Sequence, residues 1–277
     1  MIRLDAHNHF WVFDPVRDAW IDESMGVLRR DFLPEELASH LQDHGFDGTI
    51  AVQADQSEEE TRFLLQQAER FDFVKGVVGW IDFQSEDVEE RLTTFARHEK
   101  LCGFRHIAQA EADDWFLVRE AFVRGLSRIR HFGLTYDILI YQHQLPAAIE
   151  LARQLPDQTF VLDHMAKPLI RSGELEPWTS QIRSLAAAKN AFCKLSGIIT
   201  EADHTNWRKE EIRPYLDVVF EAFGIDRLMF GSDWPVCLLA GSYGQVCELV
   251  RDFAKGLDDE SVAKVFGGNA ARFYGIE

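Results

Sequence analysis

The chain has 277 residues, 46% of them hydrophobic, which is enough to bury a large core in one big domain or two modest ones. Twenty-nine Lys and Arg face 46 Asp and Glu, and the net charge of −17 makes nucleic acid and anionic membranes poor partners. Four scattered cysteines without C-x-x-C spacing, an N-terminus charged from Arg3 and Asp5 onward, and no apolar run near the ~18 residues of a membrane span point to a cytoplasmic protein with reduced thiols.

In chain order, β-rich runs fall at Ile2–Ala6, Gly48–Gln53, Val74–Ile81, Cys102–Ile107, Leu134–Ile140, Thr159–Asp163, Phe192–Leu195 and Arg227–Phe230. Amphipathic helical patterns separate them at Pro34–His44, Glu58–Phe71, Val88–His98, Phe116–Arg130, Gln144–Leu155, Pro177–Lys189, Glu210–Phe223 and Tyr243–Lys255, with a short ninth helix expected at Glu260–Phe266. Pro34 and Pro177 stand at helix starts, where a missing N–H costs nothing, and Ser57 and Ser85 supply N-cap hydroxyls ahead of acidic first turns. Eight strand–helix units with no linker predict an α/β protein, a (β/α)8 TIM barrel forming a single domain over residues 1–277, in preference to an open doubly wound sheet.

One connection is long. Asn8–Leu33, about 25 residues, leaves the C-terminal end of the first strand, the face on which barrels carry their sites. It holds Trp11, Phe13 and Trp20, and is expected to close over a ligand; the alternative is that its aromatics only anchor it.

The same end of the barrel collects polar residues. His7 and His9 lie two positions apart, about 6.6 Å along a strand, and point the same way, toward the lumen. Ile2, Leu4 and Ala6 are then expected on the opposite face, against the helices. Other strand ends carry Gln53 and Asp55, Trp80 and Asp82, Arg105 and His106, Tyr141, His164 and Lys167, Ser196, and Asp233 with Trp234. Because Arg105 and His106 are adjacent, a regular strand turns only one of them inward, and which one stays open.

His-x-His on the first strand, a His closing the sixth and an Asp closing the eighth resemble the amidohydrolase superfamily. "DAHNHFW", "GWIDF", "GFRH", "DHMAKP", "KLSG", "FGSDWPVC" and the closing "GGNAARFYGI" resemble its amidohydrolase-related branch, which includes sugar-acid lactonases, and they run nearly the whole chain. The resemblance implies hydrolysis of a cyclic ester such as an aldonolactone, with a small sugar lactone as the partner. In that chemistry Asp233 takes a proton from water and returns it to the leaving alkoxide, while Arg105, with His106 or His164, stabilises the oxyanion. Trp11, Trp80, Trp207 and Trp234 are candidates to enclose a sugar ring, with Gln53, Tyr141 and Lys167 as further substrate contacts. The expected metal is zero or one divalent ion, zinc by preference, on His7, His9 and then His164 or Asp233, and it can prove dispensable. The runner-up is a zinc-dependent decarboxylase of the same branch. A pyrone-dicarboxylate lactonase fits less well, having only Arg105 and Lys167 as obvious cations, and a non-catalytic binding barrel would lack one of these residues.

Overall fold

Parallel strands joined through helices are buried on both faces, and that is why the strand runs read as nearly unbroken apolar stretches. The computed structural model describes residues 1–276. Its strands are β1 (Leu4–Asn8), β2 (Gly48–Val52), β3 (Val74–Gly79), β4 (Leu101–His106), β5 (Thr135–Ile138), β6 (Phe160–Leu162), β7 (Ala191–Leu195) and β8 (Leu228–Phe230). They pair in parallel in sequence order. The helices are α1 (Pro34–His44), α2 (Glu58–Arg70), α3 (Val88–Phe95), α4 (Glu120–Leu126), α5 (Leu145–Gln154), α6 (Trp178–Ala186), α7 (Lys209–Phe223), α8 (Tyr243–Ala254), α9 (Asp259–Ala263) and α10 (Asn269–Tyr274). The expected barrel is the observed one. No described helix is long and apolar enough to cross a membrane.

The barrel closes where β1 meets β8. Two backbone hydrogen bonds make the seam, Asp233 N–H to His7 O and His9 N–H to Trp234 O, both 2.8 Å. The Asp5 carboxylate reinforces it, accepting from the backbone N–H of Ser232 at 2.8 Å and of His7 at 3.2 Å.

Two apolar layers result. The larger lies between strands and helices, and the smaller fills the lower lumen with Leu4, Ala6, Ile50, Val52, Val78, Val161 and Met229, closed from beneath by Phe273 and Tyr274 of α10. Leu4 and Ala6 therefore point inward, not against the helices as strict alternation predicts. The pairing register of β1 with β2 shifts between Asp5 and Asn8, and this irregularity lets Ala6 and His7, neighbours in sequence, both face the lumen. The helical pattern expected at 116–130 also breaks. Only Glu120–Leu126 is α-helix, between two 3-10 turns, and a Cβ at Gly125 would collide with the carbonyl of Phe83. The expected ninth helix shortens to α9, and α10, which plugs the barrel bottom, was not anticipated.

Candidate active site

His7, His9 and Asp233 meet because the seam hydrogen bonds set their backbones side by side. Asp233 Oδ1 lies 3.4 Å from His9 Nε2, 3.8 Å from His7 Nε2 and 3.9 Å from His164 Nε2. The ring of His9 is oriented from behind: its Nδ1 is 2.7 Å from the Val52 carbonyl, which can only accept, so Nδ1 carries a proton and Nε2 faces the cluster.

His164 arrives by a different route. Four consecutive residues, His164, Met165, Ala166 and Lys167, have φ between 50° and 58°, a left-handed turn made entirely of L-residues with side chains. Such a conformation costs roughly 1–2 kcal/mol per residue. The surroundings hold it: the Trp178 indole N–H donates to Met165 O at 2.7 Å, Lys167 N–H to His164 O at 2.8 Å, and His164 Nδ1 meets Ser196 Oγ at 2.9 Å. The ring of His164 also lies so close to Gly197 that a Cβ there would fall 2.6 Å from Nδ1. Strain concentrated at one strand end and clamped by buried partners is the mark of a functional position.

Arg105 is the residue of its pair that turns inward. Its Nη1 donates to Asp163 Oδ2 at 2.9 Å and lies 3.3 Å from His7 Nε2, and its Nη2 donates to the carbonyl and to Oε1 of Gln53. His106 faces the helices instead. It stacks on Phe116, accepts from the Trp80 indole at 3.2 Å and pairs with Glu111 at 2.7 Å.

Beneath His7 is a group of charges that the sequence reading passed over. Lys194 of β7 is fully buried, with its Nζ 2.5 Å from Asp137 Oδ2, 3.1 Å from Asp163 Oδ1 and 3.1 Å from His7 Nδ1, while Tyr274 donates its hydroxyl to Asp137. Charged residues inside apolar strand runs ("AFCKL", "TYDI", "FVLD") were the available signal, since such groups are buried only when paired. Burial, with Lys194 adding to it, pushes His7 well below its ordinary pKa, and burial likewise lowers His164 to about 4. Burial alone would raise Asp233, but His164, His9 and His7 outweigh it and hold the carboxyl below the usual carboxylate range. At neutral pH the site therefore presents an ionised Asp233 beside the neutral imidazoles of His7 and His164.

A cavity of about 490 Å³ opens above this cluster, walled by His9, Arg105, His164, Lys167 and Asp233, with Trp20 and Tyr141 at its exposed edge. Several residues expected to contact substrate lie elsewhere. Trp11 is 3% exposed, its indole N–H bonded to Arg30 O at 2.9 Å, so it anchors the long loop to the barrel. Trp234 is fully buried against Phe10 and Phe32, Trp207 donates to Ala240 O at 2.8 Å, Trp80 serves His106, and Gln53 serves Arg105. None of these five lines the cavity.

His7, His164 and Asp233 can each offer a ligand atom, all within 4.8 Å of one another, and His9 Nε2 borders the same point. Imidazole nitrogens with one carboxylate suit a single divalent ion such as zinc.

The family model for amidohydrolases matches residues 4–276. Two proteins called L-fucono-1,5-lactonase are similar over nearly their whole length. One, from Burkholderia multivorans, is 39% identical over 99% of this chain and 96% of its own, and one from Burkholderia ambifaria is 38% identical with the same coverage. A crystal structure of an amidohydrolase from Burkholderia multivorans with bound zinc superposes with a TM-score of 0.97 at 38% identity over all of both chains. By its fold, its seam residues and its full-length match, the chain belongs to the amidohydrolase family.

Proposed function

We propose that the chain hydrolyses a sugar-derived lactone, an aldonolactone of the L-fucono or L-rhamnono kind, to the sugar acid. The observation that carries this reading is the ionised Asp233, which faces the cavity beside His9 and His164 with Arg105 on the same wall. The full-length relatives named as lactonases support the ester over the decarboxylase alternative.

Asp233 accepts a proton from water as the oxygen attacks the lactone carbonyl, and then passes it to the ring oxygen as that alkoxide leaves. The charge developing on the carbonyl oxygen is met by the guanidinium of Arg105 on the cavity wall. Neutral His164, held by Ser196, places its Nε2 3.9 Å from Asp233 Oδ1, beside the carboxylate on the cavity wall. Lys167, its ammonium 5.3 Å from the Tyr141 ring centre, and Trp20 offer hydroxyl-binding and stacking surfaces for a polyhydroxylated ring. At most one divalent ion would sit on His7, His9 and His164 or Asp233, where it would act as a Lewis acid on the carbonyl.

A panel of L-fucono-, L-rhamnono-, D-arabinono- and galactonolactones, followed by proton release, tests the reading. Turnover of one or more is expected, and inertness toward all of them would overturn it. Elemental analysis before and after chelation tests the metal: zero or one equivalent is expected, and two would refute the single-ion site.

A further inference from the structure

We propose that Asp55 and Gln56, on the loop after β2, form a hydroxyl-binding subsite of the cavity, one that selects lactones carrying free ring hydroxyls. The inference rests on the lactone reading above and names the side chains that read the substituents of the ring.

The strand order sets two crossing axes at the mouth of the barrel. In a closed ring of eight strands paired in sequence, β4 and β8 stand on opposite sides, and so do β2 and β6. Arg105, from β4, and Asp233, from the end of β8, mark one axis. Asp55 and Gln56 follow β2 and Lys167 follows β6, so they face one another along the other axis, and all five line the same cavity. A ring whose carbonyl is engaged between Asp233 and Arg105 therefore turns its flanks toward Asp55 and Gln56 on one side and Lys167 on the other.

The loop after β2 holds its polar groups still and leaves them unspent. Glu60 of α2 accepts from the backbone N–H of Ala54 at 2.9 Å and from that of Asp55, which fixes the backbone, while the Asp55 carboxylate has no hydrogen bond or ion pair among the described residues. Arg17 of the long loop, whose charge reaches Asp55, is paired instead with Asp18 at 2.7 Å. Gln56 accepts the backbone N–H of Ile107 on Oε1 at 2.8 Å, and this bond assigns its amide: the NH2 is left with no acceptor among the described residues. Two adjacent residues thus offer a carboxylate that accepts and an NH2 that donates, the two partners that a hydroxyl, at once donor and acceptor, satisfies together. Across the mouth the Lys167 ammonium, set 5.3 Å from the Tyr141 ring centre and without an ion pair among the described residues, supplies further donors. Polar groups left unpaired until a hydroxyl arrives discriminate against a ring that lacks one.

Two measurements on the full chain test this, and the first needs no turnover. L-Fucopyranose, a neutral ring with free hydroxyls and no ester to open, should bind the wild type in calorimetry, with a dissociation constant that rises about tenfold or more in Asp55→Leu and in Gln56→Glu. Gln56→Glu keeps the acceptor for Ile107 N–H and removes only the NH2, so it decides the matter if Asp55→Leu fails to fold. The preference in kcat/KM for L-fuconolactone over unsubstituted δ-valerolactone should fall by a similar factor in both variants. Equal binding by wild type and variants, or no binding to the wild type, overturns the proposal, and so does an unchanged preference. Inertness of the wild type toward every lactone, with L-fucopyranose still bound through Asp55 and Gln56, would strike the lactonase reading and leave the subsite standing.

Discussion

The two halves of the barrel lumen are built by the same eight strands and obey different rules. In the lower half Leu4, Ala6, Ile50, Val52, Val78, Val161 and Met229 fill a dry space over α10, where what matters is volume. In the upper half the strands end in His7, Arg105, His164 and Asp233, where a change of one atom alters charge or hydrogen bonding. The boundary between them is the buried ionic layer of Lys194, Asp137 and Asp163. The lower half should thus respond to substitution through stability, and the upper half through rate.

The largest test is Asp233→Asn, which keeps shape but cannot accept a proton. The kcat should fall by ~10²–10⁴ while the melting temperature barely moves, and retention of more than a tenth of wild-type kcat would remove Asp233 from its role. Trp11→Ala belongs with the packing residues despite its place on the active face. It should cost about 3–5 kcal/mol in denaturant unfolding, and wild-type stability with impaired kinetics would return Trp11 to the binding surface. In the lower half Met229→Ala should cost about 2–5 kcal/mol and leave kcat near wild type; a rate effect that exceeds the stability effect would erase the division between the halves.

Trp20→Ala is the counterpart of Trp11→Ala on the same loop. Trp20 is 43% exposed and edges the cavity, so kcat/KM should drop on the order of tenfold with stability unchanged within about 0.5 kcal/mol. The smallest effect concerns pH. Burial lowers His164 to about 4, so it is neutral from pH 5 upward, and Asp233 is ionised throughout that range. The kcat should therefore vary by less than about threefold from pH 8 down to 5, falling only as His164 protonates. A midpoint near 6.5 would mean that the ring is solvated in solution.

What could be read in advance follows the same division. Apolar runs, proline starts and the order of the strands disclosed the barrel, because burial on both faces leaves a plain signature in composition. His7, His9, His164 and Asp233 were recognisable by type and by strand end. Alternation misplaced Leu4 and Ala6, because an irregularity in β1 leaves no mark in the residues that form it. The left-handed turn at 164–167 was equally silent, since no glycine announces it and its stability comes from Trp178, a residue on another element. Trp11 and Trp20 are alike on paper. Only the fold shows that one donates to Arg30 O and the other edges the cavity.

The seam between β1 and β8 also has a consequence for how activity appears in time. His7 and His9 are synthesised some two hundred residues ahead of Asp233, and hydrogen bonds from Asp233 to His7 and from His9 to Trp234 close the ring. Contacts of such long range form late and slowly in a folding chain. No fragment that lacks the eighth strand can own the reactive centre, however much native structure it holds. Recovery of turnover after dilution from denaturant should accordingly lag behind recovery of helical signal and report the final joining of the first and eighth strands.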